Sequence, residues 1–208
     1  MPRPPLISRE AAVAEAVRVL DDEGVGALSM RRIAQRLGVS SPSLYKHFRD
    51  LDDVLDAVAD AIIEEITSQL PHDTTSWRHE LDQLARRYRD TFRNHPHALA
   101  LVMRRPVRSE SSLAGLNAVL QILLDDGWSA ARAARALLLV ESFAFGAALT
   151  SASAGFAGEV GAGFPALSAA LSGSHPKLRL GSEDFEHGLE LLLDGIAAEL
   201  SPANDERR

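Results

Sequence analysis

Apolar residues in this chain recur every three or four positions almost without interruption, which is the period of a helix and not of a strand. Ala12, Val13, Ala16, Val17 and Leu20 follow it behind Ser8. Leu51, Val54, Leu55, Val58, Ile62, Ile63, Ile66 and Leu70 follow it behind Asp50, and Phe185, Leu189, Leu192, Leu193, Ile196 and Leu200 behind Ser182. Each opening Ser or Asp can accept from the free N–H groups of a first turn, and Gly24 and Pro71 close the first two runs. The same signals predict helices from Ser29 to Leu37, from Ser40 or Ser41 with Pro42 in the first turn, and from Ser76 to Phe92. They predict others over 98–103, from Ser109 or Ser111 to Asp125, from Ser129 to about Ala154, and over 165–171. The expected fold is therefore all-α, with nine or ten helices. The expected domains are 1–50 and 51–204, joined by a helix over 51–70, with a disordered tail at 205–208.

Several chemistries are excluded at once. The 208 residues contain no cysteine, so disulfides, thiolate metal sites and cysteine nucleophiles are absent. No run of 18 consecutive apolar residues occurs and Met1–Pro5 carries no apolar leader, so a cytoplasmic location is expected. Neither a Gly-x-Ser-x-Gly elbow nor a Gly-rich phosphate loop is present. His72, His79, His95 and His97 lack a carboxylate at metal-ligand spacing, and 155–181 is Gly-, Ser- and Pro-rich. No enzyme, cofactor or metal is expected.

Charge separates one segment from the rest. Residues 25–49 contain no Asp or Glu and carry Arg31, Arg32, Arg36, Lys46 and Arg49. That segment is +5, which leaves −12 for the remainder of a chain whose total is −7. The segment also has the pattern of a helix–turn–helix. Ile33, Ala34, Leu37, Val39, Leu44 and Phe48 hold two short helices together, and Gly38 permits the turn. Ser41, Pro42, Ser43, Tyr45, Lys46 and His47 are left facing outward, a small, polar and basic surface suited to a DNA major groove. A hairpin within an ordinary bundle is the competing reading.

Leu-Gly-Val-Ser-Ser-Pro-Ser-Leu-Tyr-Lys-His-Phe, residues 37–48, resembles the DNA-binding signature of the TetR family of bacterial transcriptional repressors. Residues 126–129 and 185–196 are similar, more weakly, to the C-terminal domain of its tetracycline-repressor branch. The resemblance implies a homodimeric repressor on a palindromic double-stranded operator, released by a small molecule. It places Arg31 where an arginine reads guanine, and Ser41, Pro42 and Ser43 at the start of the recognition helix. It places Tyr45 and His47 at backbone contacts, Ser29 as a phosphate donor at the start of the second helix, and Lys46 at a base or a phosphate. Leu51 stands where the family often has lysine, with Asp52 and Asp53 beside it; Arg49 is the expected substitute contact, with Arg3 and Arg9 of the N-terminal arm as additional ones. Repressor and activator are not separated by sequence.

For the C-terminal body, the resemblance implies a dimer interface containing Phe143, Ala147, Phe185, Leu189, Leu192, Leu193 and Ile196. It implies a ligand site including Leu84, Tyr88, Leu101, Arg104, Leu116, Leu137 and Glu141. Arg104 and Glu141 stand out, because an inward charge needs a partner. The tetracycline branch holds magnesium with a histidine and a glutamate at positions that here are Leu101 and Thr150. A mainly apolar organic ligand without magnesium is expected.

Overall fold

A computed structural model describes residues 7–68, 76–151, 163–172 and 181–199. Expectations for Arg3, Leu70, Pro71, the tail and most of 155–181 lie outside them. Among the described residues there are ten α-helices and no strand: α1 Arg9–Glu23, α2 Met30–Leu37, α3 Ser41–Leu44, α4 Leu51–Thr67, α5 Trp77–Asn94, α6 Leu99–Val102, α7 Glu110–Asp125, α8 Ala130–Ser151, α9 Pro165–Leu171 and α10 Ser182–Glu199. A 3-10 turn at Val25–Ala27 joins α1 to α2.

The helix ends follow local chemistry. Ser8 Oγ accepts from Ala11 N–H at 3.1 Å, Ser29 Oγ from Arg32 N–H at 3.1 Å, and Asp50 Oδ1 from Asp53 N–H at 2.9 Å. Ser109, rather than Ser111, caps α7, accepting from Ser112 N–H at 3.2 Å. Two details differ from the sequence reading. Asp53 reaches back to Arg49 N–H at 3.1 Å, one residue before the cap. Ser182 is already helical: Gly181 C=O accepts from Phe185 N–H, and Asp184 accepts from Gly181 N–H at 2.8 Å.

The chain divides into two compact units. The first takes residues 1–72 and 90–121, the second 73–89 and 122–208. Position 50 therefore lies inside the first unit, whose α4 packs on both α1 and α6.

In the first unit, Leu20, Ile33, Leu44 and Phe48 are buried where α1, α2 and α3 meet. Burial of each is worth about 1.5–3 kcal/mol. Gly38 ends α2 at φ 68°, a conformation that a Cβ disfavours. Val58, Ile62 and Ile66 continue the core along α4. His95 bridges two helices, its Nδ1 lying 2.9 Å from Asp21 of α1 and its Nε2 3.1 Å from Glu65 of α4.

In the second unit, α8 packs on α10, with Phe143 against Phe185 at 5.2 Å between ring centroids. Gly188 lies close to that pair: a Cβ there would stand 3.0 Å from the Phe143 ring, tighter than an ordinary contact. Helix α8 is long and apolar enough to cross a membrane by length and composition, with mean hydropathy 1.4 over Ala130–Thr150. Arg132, Arg135 and Glu141 interrupt it, so it contains no continuous apolar run of that length.

Helix α7 meets α4 at backbone distance. A Cβ on Gly115 would stand 2.8 Å from Thr67 Oγ1 and collide with Thr67 Cβ, and Thr67 is itself buried and bonded to Ile63 C=O. Gly115→Ala is expected to lower the unfolding free energy by about 1–3 kcal/mol, as overpacking does. Urea denaturation checks this. Adding Thr67→Ala should restore part of the loss, and an unchanged midpoint in the single variant would contradict the contact.

Candidate nucleic-acid interface and ligand-binding residues

The helix–turn–helix presents the expected side chains. Arg31, Pro42, Tyr45, Lys46 and Arg49 are exposed, and Ser29, Ser41, Ser43 and His47 are half-buried. Ser40 and Ser43 share a hydroxyl hydrogen bond at 3.0 Å across the first turn of α3. Ser29 already accepts a backbone bond, so only its hydroxyl proton is free to meet an external oxygen.

The +5 charge count overstates the free cationic surface. Arg32 forks onto Glu23 at 2.6 Å, and Arg36 bonds Glu15 at 2.6 Å and Asp22 at 2.8 Å. These pairs hold α2 on α1, and they depress the pKa of Glu15 and Glu23 through the arginine bonds, against the opposing effect of burial. Arg31 and Lys46 have no ion pair among the described residues. Arg49 lies 3.5 Å from Asp53 and is 80% exposed.

Arg9 departs from expectation. Its guanidinium donates to His47 C=O at 2.6 Å and to Asp53 at 2.9 Å, and it stacks over Phe48 at 4.3 Å from the ring centroid. It fastens α1 to the end of the hairpin and is spent as a DNA contact. Hydrogen bonding to Arg9 is the main reason that the Asp53 carboxyl sits below the usual range. Asp52 is likewise paired, with Arg105 at 2.7 Å. The two acids beside Leu51 are therefore paired from within the protein.

The candidate ligand residues divide between the units. In the second unit, Tyr88 and Glu141 come together, with the Tyr88 hydroxyl donating to Glu141 Oε1 at 2.7 Å. Phe145 meets the Tyr88 ring edge-on at 5.1 Å, and Leu84 and Leu137 are buried. Burial raises the pKa of both groups, and for Tyr88 the adjacent Glu141 charge adds to it; the Tyr88 bond only partly offsets the rise in Glu141. In the first unit, Leu101 is buried and Leu116 half-buried. Arg104 is exposed, so the inward-charge argument for it fails: it lies in the turn after α6, where its stem reaches water.

The interface residues also need correction. Phe185, Leu189, Leu193, Ile196 and Ala147 are buried within the single chain, Phe143 packs on Phe185, and Leu192 is half-buried. Phe185, Leu189, Leu193, Ile196 and Ala147 form the protomer's own core, while Phe143 and Leu192 keep part of their surface exposed, so an apolar helical stripe did not distinguish the two roles. The exposed apolar positions lie on other faces: Leu138 at 62% and Leu149 at 63% on α8, and Leu191 at 60% on α10. Gly146 and Gly195, neither with a neighbour within 4 Å of a built Cβ, lie near them in the sequence.

Residues 12–58 match the family model described as bacterial regulatory proteins, tetR family. Residues 70–200 match that of the tetracyclin repressor-like C-terminal domain. The chain is 34% identical over 215 residues to tetracycline repressor protein class C of Escherichia coli, covering 96% of this chain and 94% of that protein. It is 35% identical over 143 residues to an HTH-type transcriptional regulator of Saccharopolyspora erythraea, covering 68% of this chain but only 60% of that protein. Apo ActR from Streptomyces coelicolor superposes with a TM-score of 0.78 at 27% identity, over 96% of this chain and 99% of that one. ActR has also been crystallised with actinorhodin and with (S)-DNPA.

The Glu141 carboxyl sets a pH dependence. Its raised pKa means that the folded state holds the proton more tightly than the unfolded state. Unfolding free energy from this group should therefore fall as pH rises from the ordinary carboxylate range through the folded pKa. Glu141→Gln should remove that slope in urea denaturation across a pH series. Parallel curves for the two proteins would place the carboxyl in water.

Proposed function

Because the chain belongs to the tetR family of bacterial regulatory proteins, whose members are helix–turn–helix DNA-binding transcriptional repressors, we propose that it acts as a homodimer on a palindromic operator and is released by a small, mainly apolar organic ligand. The observation that carries the DNA reading is selective pairing: Arg32 and Arg36 are consumed by α1 carboxylates, while Arg31 and Lys46 are exposed and have no ion pair among the described residues. Residues 1–50 read the DNA. Arg31 bonds a guanine edge through its fork, Pro42 packs on a thymine methyl, and Ser41 and Ser43 reach bases or phosphates. Lys46 binds phosphate, and Ser29, Tyr45, His47 and Arg49 fix the register on the backbone.

Residues 51–204 respond to ligand and dimerise. The Tyr88–Glu141 pair supplies a polar anchor among Leu84, Leu137 and Phe145. Leu101 and Leu116 are assigned to the ligand by family likeness alone. Leu101 and Thr150 leave magnesium without the branch's two ligands, so magnesium-tetracycline is not the inducer proposed. The complexes of ActR with actinorhodin and (S)-DNPA support ligand response in a relative of 27–28% identity. The dimer face is assigned to Leu138, Leu149 and Leu191, with Gly146 and Gly195 allowing helix backbones to approach across a two-fold axis.

Fluorescence anisotropy on DNA from upstream of the chain's own gene, with nonspecific competitor, tests the reading. Competitor-resistant binding to one palindromic fragment is expected, and its absence from a genome-wide selection would overturn it. Arg31→Ala should cost about 1–3 kcal/mol and relax sequence preference. Lys46→Ala should weaken all sequences alike and flatten the salt slope by about one. Equal small effects would remove the two roles. For the interface, Leu138→Glu with Leu191→Glu should yield a monomer in sedimentation and abolish competitor-resistant binding. A dimer that persists would place the interface elsewhere.

A further inference from the structure

A groove of about 600 Å³ runs between α1 and α4 in the first unit, away from every residue assigned above to the inducer. Its floor is Val13, Ala14 and Val17 of α1 and Ala57 and Ala61 of α4, none of them fully buried. From Asp53 to Glu64 it follows α4 for about 16 Å. The volume is in the range of organic-ligand pockets.

The rim gives the groove its sign. Five carboxylates line it, Glu10, Asp53, Asp56, Asp60 and Glu64, against three guanidinium groups, Arg9, Arg49 and Arg108. Asp53 is held by Arg9 and Asp56 by Arg105 and Arg108, while Asp60 accepts the N–H groups of Arg108 and Ser109. Glu10 and Glu64 have no ion pair among the described residues, and Glu10 is held below the usual carboxylate pKa by its backbone and Ser8 bonds. The apolar floor lies between Glu64 and Glu10, whose charge Arg9 and His47 only partly offset, so the groove favours a cation over an anion and gives a neutral molecule no electrostatic gain.

We propose that this groove is a second ligand site, for a lipophilic organic cation, built into the DNA-reading unit itself. The cation's apolar body lies on Val13, Val17, Ala57 and Ala61, and its charge faces Glu10 or Glu64. Arg9 at the groove's end also holds the His47 carbonyl, so occupancy bears directly on the hairpin. Binding itself does not depend on the operator reading; only its effect on DNA does.

Isothermal calorimetry on the full-length chain tests it, with tetraphenylphosphonium as the cation and tetraphenylborate as an anion of the same shape. One cation per chain is expected, with the anion at least about tenfold weaker. Glu10→Gln with Glu64→Gln should weaken the cation about three- to tenfold, and Ala61→Phe should abolish binding by filling the floor. Glu141→Gln should leave it unchanged. Should Ala61→Phe fail to fold by circular dichroism, the charge variant and the anion control decide. Equal affinity for both ions overturns the proposal, as does binding kept by a folded Ala61→Phe. Cation binding lost in Glu141→Gln would move the ligand to the second unit and also overturn it. Binding that appears only after deletion of residues 1–6 would assign the groove to the chain's own N-terminal segment, with the same consequence.

Discussion

Four carboxylates on the first three turns of α4 organise the first unit. Asp53 is tied through Arg9 to α1 and to the carbonyl that ends the reading hairpin. Asp52 and Asp56 take Arg105, Asp56 also takes Arg108, and Asp60 takes the backbone at the start of α7. An isolated surface ion pair contributes about 0–1 kcal/mol. Here the value is geometric: each carboxylate fixes a different partner to one rigid helix, so the hairpin and the α6–α7 connection share a single frame. Gly115 against Thr67 extends that frame by bringing α7 onto the far end of α4.

The same frame explains how an acidic chain presents a DNA face. Positive charge in the hairpin serves two purposes that composition cannot distinguish. Arg32 and Arg36 turn back onto Glu15, Asp22 and Glu23 and hold α2 in place. Arg31, one residue along the helix and about 100° around it, has no such acid and points to solvent. The result is a small set of exposed cations on a hairpin that other cations hold in place.

The second unit follows different physics. Its aromatic contacts, Trp77 with Trp128, Tyr88 with Phe145 and Phe143 with Phe185, fill the space between α5, α8 and α10. One polar bond within that packing is Tyr88–Glu141. A carboxyl held towards its neutral form among apolar groups can donate as well as accept a hydrogen bond.

By itself, the sequence determined the helical class, most helix ends, the hairpin and the family, because capping, glycine geometry and apolar period act over a few neighbouring residues. Ser8, Ser29, Asp50 and Gly38 do what their local chemistry requires in any fold that contains these helices. Only the tertiary structure decided which charges are spent and which apolar faces are covered. Arg9 became a clasp and Arg104 a surface residue, and the stripe Phe185, Leu189, Leu193 and Ile196 became the protomer's own core, leaving Leu191 outside. Pairing and burial depend on residues tens of positions apart: Arg9 meets its acid 44 residues away, and Tyr88 its carboxyl 53 residues away. Neither separation leaves a periodic trace in the sequence.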